Sequence, residues 1–140
     1  MLAVILPLSM LGSVLAGVLD LRFGRVLPVV LATAVASIGL VVLINTQQTQ
    51  LFALAFLVHQ LAWNYGIAYV YGALAEASGD SGAEVLAPGS QSLGTALGPI
   101  LAGLTAAQFS LASVVWISLS GMTLCAIILI LMQGTYRARN

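Results

Sequence analysis

Five long apolar stretches organise the chain, at residues 2–19, 26–44, 51–75, 89–107 and 111–132. A helix rises ~1.5 Å per residue and a bilayer core is ~30 Å thick, so each stretch approaches the ~20 residues that one crossing needs. Asp20 closes the first stretch, and Pro28 stands in the first turn of the second, where a missing N–H costs little. The second ends at Asn45-Thr46-Gln47-Gln48-Thr49-Gln50, and the third stops before Glu76. Residues 76–88 hold Gly79, Asp80, Gly82 and Glu84, the pattern of a polar loop rich in helix breakers. Only Gln108-Phe109-Ser110 separates the last two stretches, which makes them antiparallel neighbours. The apolar runs do not alternate as barrel strands do, and lipid does not tolerate unpaired backbone, so the stretches read as helices. The pattern predicts an all-α membrane protein: one domain over residues 1–140, built as a bundle of five transmembrane helices.

Composition sharpens this picture. Hydrophobic residues make up 61% of the 140 positions and charged residues 6%, an excess that a water-soluble globule of this length cannot hide. Disorder needs the opposite balance. Net charge is zero and the only cations are Arg22, Arg25, Arg137 and Arg139, too few to track a phosphate backbone, so no nucleic-acid partner is expected. Cys125 is the single cysteine and has no disulfide partner within the chain. The first stretch lacks a basic leader and runs directly into a charged segment, unlike a signal peptide. Four crossings separate the two arginine pairs, so both lie on one face, which the positive-inside rule makes cytoplasmic. The carboxy-terminus is then cytoplasmic and Met1 external. Heavy Ala and Gly use, with Arg but no Lys, suggests a GC-rich bacterial source and hence an inner-membrane, multi-pass location.

The turn between the first two stretches reads Gly17-Val18-Leu19-Asp20-Leu21-Arg22-Phe23-Gly24-Arg25. Gly24 permits positive φ in a tight reversal, and the arginines anchor at headgroups and helix carbonyl ends. This turn resembles the cytoplasmic loop pattern G-x-L-a-D-R-x-G-R-R/K of the major facilitator superfamily, with Gly17, Leu19, Arg22, Gly24 and Arg25 in register. The aspartate stands one position early, at Asp20, and Val26 replaces the second basic residue of the final pair.

The fourth stretch extends the resemblance. Gly94-Thr95-Ala96-Leu97-Gly98-Pro99-Ile100-Leu101-Ala102-Gly103 looks like the Gly-Pro-rich penultimate span of such transporters. Ser90, Gly94, Gly98 and Ala102 recur every four residues as a small-residue stripe that admits a second helix closely, and Pro99 frees a carbonyl one turn back and invites a kink. The stripe reads equally as a gating face or as a plain packing face. The order of loops matches spans eight to twelve of a twelve-span transporter. The resemblance implies a fragment of a carboxy-terminal half, lacking the seventh span and the amino-terminal half that would be its partner. It also implies secondary active transport of an unknown small solute by alternating access, with the lipid bilayer as surroundings and no cofactor or metal.

The third stretch carries the polar groups. His59, Gln60, Trp63, Asn64 and Tyr71 fall within an arc of about 140° on a helical wheel. An imidazole and two amides are costly against lipid tails, so the arc is expected to face protein or a water-filled cavity. The resemblance implies that this span lines the substrate path. Gln60 and Asn64 would then hydrogen-bond a solute, Trp63 and Tyr71 would supply stacking surface, and His59 would carry a proton or simply donate. The alternative is interfacial, with Trp63 as an aromatic-belt anchor. His59 is the only acid or base within a span other than tyrosine and cysteine, so proton coupling rests on it, on the missing half, or does not exist.

Enzyme motifs are not met. Gly89-Ser90-Gln91-Ser92-Leu93-Gly94 misses the G-x-S-x-G elbow because Ser90 occupies a glycine position. One histidine forms no metalloprotease pair, and a chain without lysine has no P-loop. The expected function is transport as part of a larger carrier. The rival is a small five-span structural or assembly protein that acts through helix–helix packing.

Overall fold

A computed structural model describes residues 7–19, 22–78 and 85–139, excluding the side chains of residues 77–78 and 135–139. Among the described residues run the helices α1 (Leu11–Leu19), α2 (Val26–Asn45), α3 (Thr49–Ser78), α4 (Leu86–Gln108) and α5 (Leu111–Arg139). The described residues include no strand. Three segments are long and apolar enough to cross a membrane: Val26–Asn45, Thr49–Glu76 and Leu111–Gly134. The other two expected spans differ. The apolar helix Pro7–Leu19 is shorter, and residues 2–6 of that expected span lie outside the described residues. Helix α4 is 23 residues long, but Ser90, Gln91, Ser92 and Thr95 dilute its apolar character. The loop expected at 76–88 is also tighter, because α3 continues through Ser78 and α4 starts at Leu86.

Local chemistry sets the ends of these helices. Gly24 takes φ 69°, the left-handed conformation that the reversal before α2 requires. At the far end of α2, the Asn45 amide donates to the Val41 carbonyl (2.7 Å) and the Thr46 N–H to that of Val42 (3.0 Å). Residues 46–48 then reverse the chain into α3. Between α4 and α5 the Phe109 N–H closes the last turn on Thr105 (2.9 Å). The Ser110 hydroxyl accepts from the Ser113 N–H (3.2 Å), an N-cap that starts α5.

The interior is made of small residues. Buried positions on α1 are Gly12 and Ala16, and on α2 Pro28, Val29, Ala32, Ala36 and Gly39. On α3 they are Ala55, Ala62, Gly66, Tyr69 and Ala73, at spacings of seven, four, three and four. Large apolar side chains point outward instead: Ile38 is 64% exposed, Trp116 63% and Leu131 63%. In water this arrangement would expose what folding normally hides. In lipid it is the expected one, because tails solvate large apolar groups and close backbone packing holds helices together.

Helix α3 is the centre of the bundle. It packs on α2 along one side and on α1 along another, while α5 rests against α2 and, more lightly, α3. The contacts with α1 and α2 are backbone-close. A Cβ built at Gly12 would overlap the Leu61 carbonyl oxygen, one at Gly39 would stand 3.0 Å from His59 Cβ, and one at Gly66 3.0 Å from Ala32 Cβ. Ala16, Val29, Tyr69, Ala73, Ala126 and Leu129 form one buried cluster. It joins the end of α1, the start of α2, the last part of α3 and the second half of α5, so these ends share one side of the bundle. Helix α4 contrasts with the rest: it packs chiefly on α5 and buries no residue.

Gly12→Val is therefore expected to force α1 off α3 and destabilise the detergent-solubilised chain by about 1–3 kcal/mol. Gly17→Val, where nothing stands within 4 Å, is expected to shift stability by less than about 0.5 kcal/mol. Denaturant unfolding followed by circular dichroism checks both, and equal stabilities would contradict the packing described.

Candidate functional site

A cavity of about 530 Å³ lies among α2, α3, α4 and α5. Its walls are mostly small or apolar: Val29 and Ala32 from α2, Ile67 and Leu74 from α3, Gly121 and Met122 from α5. Polar groups come from α2, α3 and α4, with Thr33, Trp63 and Tyr71 on one side and Ser90, Gln91 and Thr95 on the other. The Tyr71 hydroxyl donates to Gln91 Oε1 and so bridges the two helices. Ser90 donates to the Ala87 carbonyl (2.9 Å) and Thr95 to that of Gln91 (2.9 Å), both within α4. These hydroxyl protons are thus committed to the helix, while each oxygen keeps lone pairs for an incoming donor. The sole cysteine, Cys125, lines the α5 wall.

The polar arc on α3 divides three ways. Trp63 and Tyr71 line the cavity. His59 Nδ1 lies 2.9 Å from the Ala36 carbonyl of α2. A carbonyl only accepts, so Nδ1 carries the proton in this bond and ties α3 to α2. Asn64 turns to the other neighbour. Its Nδ2 donates towards the Ser9 carbonyl (3.2 Å), the Ser9 hydroxyl (3.2 Å) and the Gln60 carbonyl (3.0 Å). Ser13 in turn donates to the Asn64 carbonyl (3.3 Å). Ser9 is buried, so this amide satisfies polar atoms that lipid could not. Gln60 is half-buried and contributes a backbone carbonyl to the same knot; its side chain is not part of the cavity wall. His59, Gln60 and Asn64 were expected with the other two at a solute path; none of the three is among the residues lining this cavity, and His59 and Asn64 bond to the two helices that flank α3.

The turn before α2 has one structural role that the sequence reading missed. Arg25 Nε donates to Glu76 Oε2 (2.7 Å), and a second guanidinium nitrogen pairs with Oε1. A bidentate pair of this kind fixes geometry as well as charge. Gly72, one turn before Glu76, makes room for it, since a Cβ there would collide with the Arg25 guanidinium. Gly72 and Glu76, four apart on one helix face, were the available signal. Gly17 and Arg22 are exposed, and Asp20 lies outside the described residues.

Along the α4 stripe, Ser90 and Gly94 line the cavity. A Cβ built at Gly94 or Gly98 would meet nothing within 4 Å, and Ala102 is half-buried. Among the described residues none stands close to Gly94 or Gly98; the backbone-close helix contacts fall at Gly12, Gly39 and Gly66. The helix continues through Pro99. The described residues hold no cluster of three metal-binding side chains. No protein family, curated protein or solved structure matches this chain.

Asn64→Leu is expected to cost about 1–2 kcal/mol, because it removes an interhelical knot of hydrogen bonds. Gln60→Leu is expected to cost less than about 0.5 kcal/mol. Parallel unfolding titrations of the two variants measure the difference, and an Asn64→Leu chain as stable as Gln60→Leu would contradict the assignment.

Proposed function

We propose that this chain forms most of one half of a carrier of the major facilitator type and takes part in moving a small solute across a cell membrane by alternating access. The cavity between α2–α3 and α4–α5 carries the reading. Its volume of about 530 Å³ is that of a small-molecule site, with apolar walls and a few convergent polar groups. Its walls belong to two helix pairs, so a change in their separation opens or closes it. The Arg25–Glu76 pair, within the turn that resembles the family loop, ties that turn to the end of α3. Three helices of membrane-spanning length, each with at most 28% of its most apolar window buried, support a lipid environment. In this reading the α3 end, the turn before α2 and the carboxy-terminus face the cytoplasm of a bacterium, where the arginines belong.

The open face of α4 favours a second reading, a membrane assembly protein that binds another helix there. In the carrier, the same face meets the opposite half. Transport in this fold needs both halves around a midplane site. Expression of the reading frame extended upstream of Met1 separates the two readings. The carrier reading expects six or seven further spans there, solute uptake by proteoliposomes of the extended product, and loss of uptake when Gly94→Trp fills the cavity. It also expects no uptake by the 140-residue chain alone. A promoter and ribosome-binding site directly before Met1, or uptake by the short chain, would contradict it.

A further inference from the structure

We infer that the cavity accepts an uncharged, amphipathic ring compound bearing N–H or O–H donors, such as an aryl amide or alcohol, and discriminates against the corresponding carboxylate or ammonium. The inference rests on the carrier reading and deepens it.

Size comes first. A volume of about 530 Å³ suits a solute of small-molecule size. Charge comes next. Among the described residues, the wall contains no Asp, Glu, Lys, Arg or His. An ion entering it would lose its hydration without meeting an opposite charge, a penalty that a low-dielectric site does not return. The polar side then sets the functional groups. Ser90 and Thr95 have given their protons to α4 carbonyls, so they offer oxygen lone pairs that a solute N–H or O–H satisfies, while the Gln91 amide N–H groups and the Thr33 hydroxyl serve a solute carbonyl or hydroxyl oxygen. Trp63 lines the same cavity, an aromatic surface suited to stack on a ring. Ile67, Leu74 and Met122 complete an apolar floor.

Two native reporters view this space from opposite walls: Cys125 on α5 and Trp63 on α3. Trp116 is the only other tryptophan, so Trp116→Phe isolates the Trp63 signal. The experiment follows alkylation of Cys125 by N-ethylmaleimide, and Trp63 emission, in the full chain in lipid nanodiscs. The probes are biphenyl-4-carboxamide, biphenyl-4-carboxylate and biphenyl-4-ylmethylammonium, alike in shape and different in charge. The amide is expected to slow alkylation and shift the emission, and both ions to do so at concentrations at least about tenfold higher. Gly94→Trp, placed where a side chain meets open space, is expected to abolish the amide's effect, and Gln91→Leu to weaken it about tenfold. Equal protection by either ion overturns the charge assignment and leaves the carrier reading standing. So does protection by none of the three when Gly94→Trp still slows alkylation. If no probe protects and Gly94→Trp changes nothing, the cavity is not where the structure puts it, and both readings fail.

Discussion

The bundle depends on backbone-close contact between α3 and its two neighbours. Among lipid tails, apolar helices gain nothing by hiding leucine from its surroundings, so association must come from packing and from polar groups that find each other. Gly12 against Leu61, and Gly39 and Gly66 against residues of the facing helix, supply the first. The Asn64–Ser9 knot and the His59–Ala36 bond supply the second. Both kinds of contact act on α3, from two sides, and together they fix its rotation about its own axis.

That rotation determines what the cavity can be. With His59 turned to α2 and Asn64 to α1, the sector between them and α4 presents Trp63, Ile67 and Tyr71. On the other side α5 packs against α2 and joins the buried cluster through Ala126 and Leu129, whereas α4 buries nothing. Helix α4 meets α3 across the cavity through the Tyr71–Gln91 hydrogen bond. Helix α4 is therefore the lightly held part of the wall. At the end of α3, Arg25 and Glu76 add a charged tie whose partners are 15% and 48% exposed, so screening keeps its contribution to stability small.

Helix class and order were legible in the sequence because apolar length and short polar breaks are strong signals. Residues 46–48 and Phe109-Ser110 are turns in the structure where the polar run and the three-residue break placed them. The packing face was not legible. Ser90, Gly94, Gly98 and Ala102 stood out because polar residues surround them, yet among the described residues a Cβ at Gly94 or Gly98 meets open space. The small residues that do pack, such as Gly12, Ala16, Ala32 and Ala36, sit among leucines and valines, and hydropathy does not separate lipid-facing from helix-facing apolar groups. The arc on α3 was legible as an angle only. A wheel places His59 and Asn64 near Trp63, but which neighbour each side chain meets depends on where α1 and α2 lie. The Arg25–Glu76 contact spans 51 residues, and its one local trace is Gly72 four residues before Glu76 on α3.

Site-directed alkylation with a membrane-impermeant reagent tests most directly the claim that these helices cross a bilayer in alternating directions. In a Cys125→Ala background, single cysteines replace Arg22, Gln47, Ser110 and Arg137 in turn, and intact cells are compared with lysed ones. The account predicts that positions 22 and 137 are labelled only after lysis, whereas 47 and 110 are labelled from outside. Positions 22 and 137 on opposite sides, or 47 on the same side as 22, would contradict it.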